Sequence, residues 1–167
     1  AVPPDGGRGG RRGPAGFGGG APAGFGGGGT GGGGGGGGGG RGTVEPALRF
    51  ADEYNTPFVS PKDAAAIRAK VPGLRFSVMT GFLIGETRED ALDRARTLFS
   101  RRPRDTTFEE WLPRVESVGL VGSVEEATER LRAYERAGCD RVMLQHLLHT
   151  DLEPVRLLGR ELAPAVA

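Results

Sequence analysis

The sequence predicts an α/β fold of parallel strand and helix units, preceded by a segment that forms no core. Three observations carry this expectation. Apolar runs that suit buried strands alternate with amphipathic stretches that suit helices, short polar links with capping residues separate them, and glycine is confined to one end. Of the 32 glycines, 25 fall in residues 1–42, leaving 7 for the other 125. So few large apolar side chains accompany them that the entropy of ordering the segment is not offset. Residues 1–42 are therefore expected to be a disordered, low-complexity segment, and residues 43–167 the folded domain.

Within that domain, ALRFADEYNTPFVSP opens on a short apolar stretch and reads as a strand ending near Asn55, with Pro57 and Pro61 marking a loop. Ser60, Pro61 and Asp63 start a helix that Pro72 and Gly73 stop. LRFSVMTGFLIG, from Leu74 to Gly85, is rich in β-branched and aromatic residues and suits a strand buried on both faces. Thr87 and Asp90 cap the next helix, whose stripe is Ala91, Leu92, Ala95, Leu98 and Phe99. Residues 101–119 read as an irregular insertion with a short amphipathic helix around Phe108 to Val115.

The clearest unit follows. Ser123 and Glu126 form a capping box, Val124, Ala127, Leu131, Tyr134 and Ala137 line one face, and Gly138 supplies a left-handed C-terminal cap. A strand from Asp140 to Gln145 comes next. Thr150 and Glu153 then predict a second capping box, with Leu152, Val155, Leu158 and Leu162 recurring at helical spacing.

Charge and composition exclude some functions. Residues 1–42 carry a net charge of +3 and the remainder −2, which demands neither a nucleic-acid nor a membrane partner. One cysteine permits no internal disulfide, no apolar h-region opens the chain, and no run approaches a membrane span. A cytoplasmic chain is expected.

Candidate chemistry is sparse. His146 and His149, the only histidines, are three apart and lack a further ligand in a zinc pattern, so no metal site is expected. Gln145 and His146 sit where a buried strand would reach the C-terminal rim of a parallel sheet, either to meet a ligand or to bond neighbouring backbone. Cys139 follows the Gly138 cap and reads as a small core residue. Trp111 either anchors the irregular segment or meets a ligand. Pairs such as Glu126 with Arg130 and Glu129 with Arg132 read as a solvated helix face. The glycine tract has three readings: a phosphate-cradling loop, a flexible extension, or an Arg/Phe-interleaved segment that binds single-stranded RNA or acts as a scaffold.

The segments FADEYNTPF and SVEEATERLRAYERAGCDRVMLQHLLHTDLEPVRLLGRELAP resemble the C-terminal part of the luciferase-like monooxygenase superfamily, particularly its deazaflavin-dependent branch. Phe50-Ala51-Asp52-Glu53-Tyr54-Asn55 matches a strand that in that family follows a glycine-rich phosphate loop and a helix. The resemblance implies the C-terminal portion of a (β/α)8 TIM barrel. It also implies an oxidoreductase that transfers hydride with a deazaflavin (coenzyme F-420) or FMN and acts on a small-molecule substrate. The phosphate role falls on Gly38, Gly39 and Gly40 with Arg41, and Pro46 is expected to interrupt the helix that follows. Three strands, near Asp52, Phe76 and Val142, leave most of a barrel unaccounted for. The chain is thus expected to be truncated, weakly active or inactive alone, and to dimerise or to be completed by another barrel half. The alternative is a glycine-rich RNA-binding or scaffolding protein with a folded α/β tail.

Overall fold

The computed structural model describes residues 41–101 and 105–166, with side chains from residue 43 onward. Its elements are α1 (Arg41–Phe50), β1 (Glu53–Pro57), α2 (Pro61–Arg68), β2 (Arg75–Gly85), α3 (Arg88–Ser100), α4 (Phe108–Val118), β3 (Leu120–Ser123), α5 (Val124–Arg136), β4 (Arg141–His146) and α6 (Glu153–Leu157). A π-helical turn, Leu158–Leu162, joins α6 to the last helix, α7 (Ala163–Val166). All strand pairings are parallel: β1 and β4 pair with β2, and β3 pairs with its last four residues.

Backbone alternation fixes the order of the three main strands. The Phe58 amide donates to the Met79 carbonyl and the Arg75 amide to Asp52, so odd residues of β2 face β1. The Asp140 amide donates to the Phe76 carbonyl at 2.8 Å, so even residues face β4. The order is β1-β2-β4, with a helix after each strand. Asp140 strengthens the alignment by accepting the Phe76 amide on its carboxylate at 2.8 Å.

Each helix starts where its cap directs. Ser60 accepts from the Asp63 amide, and Thr87 with Asp90, Thr107 with Glu110, and Ser123 with Glu126 complete capping boxes. Gly138 has φ +82°, the left-handed turn that lets β4 follow α5 at once.

One face of the sheet is finished. Tyr54, Phe76, Val78 and Phe82 pack under α2, α5 and the C-terminal helices, with Ala64, Ala127, Tyr134, Leu157 and Leu162 all at or below 5 % exposure. The Tyr134 hydroxyl reaches the carbonyls of Val59 at 2.7 Å and Val118 at 2.8 Å, tying the loop after β1 to the approach to β3. A second cluster joins Leu83 to Ala95 and Leu98 of α3 and to Trp111 and Val115 of α4. Trp111 is 1 % exposed and packs against Phe99 and Phe108 at ring distances of 5.3 and 5.9 Å, so it anchors this segment.

Several expectations require correction. β1 runs on to Pro57 because odd residues of β1 face away from β2, so the missing proline N–H takes no bond from the β1–β2 ladder. Pro46 does not break α1: Val44 and Ala47 pack on the core and the Thr43 hydroxyl bonds Tyr54 at 3.0 Å, tertiary contacts that outweigh the local penalty. Residues 47–50 are thus the last turn of a helix. Residues 101–119 lead into an additional strand, β3, too short to show a period in the sequence.

Thr150 and Glu153 form no capping box. The Asp151 carboxylate accepts the Glu153 amide at 3.2 Å instead. Leu152 and Val155 are exposed, whereas Leu157 and Leu162, five residues apart across the π turn, are buried. On α5, Glu126 pairs with Arg88, Glu129 pairs with Arg136, and Arg130 donates to the Glu116 and Ser117 carbonyls. Arg88 and Arg130 bridge α5 to neighbouring elements, whereas Glu129 and Arg136 pair two turns apart on α5 itself.

Candidate functional site

The other face of the sheet carries the candidate site. Successive residues of a strand point to opposite sides, so the register aligns the odd residues of β1, β2 and β4 in rungs. The first rung is Glu53 and Arg75; the second Asn55, Ser77 and Arg141; the third Pro57, Met79 and Met143; the fourth Gly81 and Gln145. Asn55, Arg75 and Arg141 are exposed, and Glu53, Met79, Met143 and Gln145 are half-buried. α3 and α4 cover this face at Leu83, the next odd residue of β2, and Ser77 is buried, whereas the other side chains of the four rungs stay exposed or half-buried.

The two ends of the open face differ in chemistry. At the N-terminal end, Glu53 forms an ion pair with Arg141, and the Asn55 amide donates to the Ser77 hydroxyl at 2.9 Å. A hydrogen bond from Ser77, aided by the Arg141 charge, holds the Glu53 carboxyl below its ordinary range against partial desolvation. At the C-terminal end, two thioethers and a glycine make a soft floor. The Gln145 side-chain oxygen above them is buried with no hydrogen-bond partner among the described residues. Parallel sheets bind ligands at this end.

A wall rises beside that floor. Phe58, which follows β1, has φ +49°, a strained conformation for a bulky residue, and packs with Leu147 against the α3–α4 cluster. The floor therefore opens beneath an aromatic shelf.

His146 leaves the strand on the covered side. Its ring stacks on Phe82 at 5.1 Å, and Nε2 lies 2.6 Å from the Asp151 carbonyl oxygen, so the ring donates from Nε2. Among the described residues neither its buried Nδ1 nor the buried Thr56 hydroxyl on the same face has a hydrogen-bond partner. Arg94 holds the Asp151 carboxylate at 2.7 Å. Of the two readings for His146, backbone bonding is the one the structure shows. His149 is exposed, 6.4 Å from the His146 ring. Among the described residues no group of three His, Cys, Asp or Glu side chains could hold a metal ion.

Gly38, Gly39 and Gly40 lie outside the described residues. Arg41 opens α1, and its side chain is likewise outside them. Cys139 is half-buried at the edge of the core, and burial, reinforced by Asp140, pushes its thiol up to about 11, as expected of a packing residue. The inward residues Glu53, Asn55, Ser77, Met79 and Met143 were not singled out by sequence. Their only signal is a two-residue alternation within runs that are apolar on both sides.

No family model matches the chain, and no curated protein matches it. Among solved structures, the chain is similar to the coenzyme F-420-dependent tetrahydromethanopterin reductase from Methanopyrus kandleri, with TM-score 0.56 and 14% identity, covering 75% of this chain and 48% of that one. It is also similar to apo-MsnO8, with TM-score 0.49 and 15% identity over 74% of this chain and 47% of that one. The first likeness shows the fold alone: an α/β chain with a parallel sheet similar to part of that reductase. The chain spans about half the length of the structures it matches. Among the described residues no helix is long and apolar enough to cross a membrane.

Proposed function

We propose that the chain is an oxidoreductase of the luciferase-like type and that the C-terminal half of its open face receives the ring of a deazaflavin (coenzyme F-420) or of FMN. The observation that carries this reading is the buried oxygen of Gln145, which has no hydrogen-bond partner among the described residues, above Met79, Gly81 and Met143. Such an acceptor is costly unless a donor reaches it, and a flat ring with N–H groups fits both the donor requirement and the soft floor. The fold likeness is to part of an F-420-dependent reductase, which favours a cofactor of this kind.

The cofactor supplies a hydride carrier. The protein's share is placement. Gln145 accepts from the ring, Met79 and Met143 pack against its face, and the Phe58 side wall limits water. Glu53, Asn55, Ser77 and Arg141 hold the far end of the face in a fixed polar rung. The cofactor's phosphate falls to the backbone amides of Gly38, Gly39 and Gly40 with Arg41, which stands at the start of α1 where the helix terminus is positive. No side chain on the floor is an acid or a base, so substrate protonation is assigned to none of them.

Titration of the full chain with FMN and with coenzyme F-420, followed by cofactor fluorescence, tests this. Saturable binding that Gln145→Leu weakens about tenfold, the worth of one buried hydrogen bond, is the expected result. No saturable change with either cofactor up to millimolar concentration would overturn the proposal.

A further inference from the structure

The chain has two methionines, Met79 and Met143, and they are register partners on neighbouring strands. Parallel strands lie about 4.8 Å apart, and both residues are odd, so the two thioethers share one patch of the open face. Both are half-buried, and neither enters the core clusters that hold Val78 and Leu83. Gly81, one rung further along, adds no side chain over them.

Sulfur chemistry separates this pair from the one remaining sulfur. Cys139 sits on the other side of β4, in a cleft of about 400 Å³ whose lining includes Leu131, Val142, Leu144, Leu158 and Val166. A thiol reacts with peroxides as its thiolate, and burial, reinforced by Asp140, holds the Cys139 thiol up at about 11, so little thiolate forms near neutral pH. A thioether needs no deprotonation, and its exposure governs the reaction.

We propose that Met79 and Met143 form a paired oxidation site, at which hydrogen peroxide converts both thioethers to sulfoxides and so turns the floor from one that receives a flat ring into one that rejects it. At each sulfur a lone pair attacks one peroxide oxygen, the O–O bond breaks and an S–O bond forms. The departing hydroxide takes the proton of the transferred oxygen and leaves as water. Sulfur is the reductant and the peroxide the oxidant, and no further reactant is needed. The new oxygens are strong acceptors without local donors: Pro57, the third member of the rung, has no N–H, and a ring packed face-on offers none. Binding a ring would therefore bury both oxygens unpaired. The rejection of the ring rests on the cofactor reading, whereas the oxidation does not.

The test treats the full folded chain with hydrogen peroxide at neutral pH and maps the oxidised peptides by mass spectrometry, with a urea-unfolded sample as reference. The expected result is one oxygen on each of Met79 and Met143, added at rates within about tenfold of the unfolded reference, while Cys139 can still be alkylated. The oxidised chain should then bind FMN or coenzyme F-420 about tenfold or more weakly than the untreated one. The double variant Met79→Leu, Met143→Leu should show an affinity that peroxide leaves unchanged, whatever its starting value. Slower oxidation of either methionine, consumption of Cys139 before both, or an affinity unaltered by double oxidation would overturn the proposal. Failure of the untreated chain to bind either cofactor would remove the cofactor reading and the rejection that rests on it, and the peptide map would still decide the oxidation site by itself.

Discussion

The two faces of one sheet are built from alternate residues of the same three strands, yet they are finished to different degrees. Phe76, Val78 and Phe82 point to a face sealed by α2, α5 and the C-terminal helices, and are at most 2 % exposed. Ser77, Met79 and Gly81, their neighbours in the chain, point to a face bearing ion pairs, thioethers and an orphaned amide oxygen. The difference teaches that packing is divided by parity along much of the sheet. Even positions carry the sealed core, and the odd ones enter a core at Leu83, where α3 and α4 cover them.

The largest effect expected from this division is on core truncation. Phe76→Ala should cost about 3–5 kcal/mol, measured by urea unfolding of the full chain, whereas Met143→Ala on the open face should cost less than about 1 kcal/mol. Comparable losses would mean that the open face is packed after all. Capping sharpens the picture at a smaller scale. Ser123→Ala should destabilise by about 1 kcal/mol, because it removes an acceptor for the Glu126 amide, while Thr150→Ala should change stability within about 0.5 kcal/mol, since Asp151 does the capping there.

Alkaline pH probes the sealed face alone. Burial, the leading cause, raises the Tyr134 phenol from 10.0 to about 12 and the Cys139 thiol from 9.0 to about 11. Between its ordinary and its raised value each group keeps a proton in the folded chain that it loses in the unfolded one. Stability should therefore be full below about pH 9 and fall as pH rises from there towards 12. Thermal melts at pH 8 and 10.5 check this, and Cys139→Ala should flatten the first part of the decline. A decline unchanged by the substitution would remove Cys139 from the account.

Much of the sealed face is legible in the sequence because its signals are local. Capping boxes at Thr87 and Ser123, the Gly138 turn and the α5 stripe each occupy fewer than fifteen residues. The open face is harder to read. The β2 run from Phe76 to Gly85 is apolar or small at nearly every position, so no period separates Met79 from Val78. Gln145 and His146 are adjacent polar residues at one strand end, and only the register shows that they point to opposite faces. The C-terminal leucines mislead for a different reason: a π turn is invisible to a pattern that assumes four residues per repeat.

The odd residues of β4 are expected to exchange freely in the isolated chain, and a ligand ring is expected to settle on the face they carry. Residue-resolved amide exchange by NMR, with and without FMN or coenzyme F-420, tests both most directly. The prediction is slow exchange at Val142 and Leu144, fast exchange at Met143 and Gln145, and cofactor-induced shifts gathered at Met79, Gly81, Met143 and Gln145. Uniform protection along β4, or shifts gathered instead at the Leu131–Val166 cleft, would contradict it.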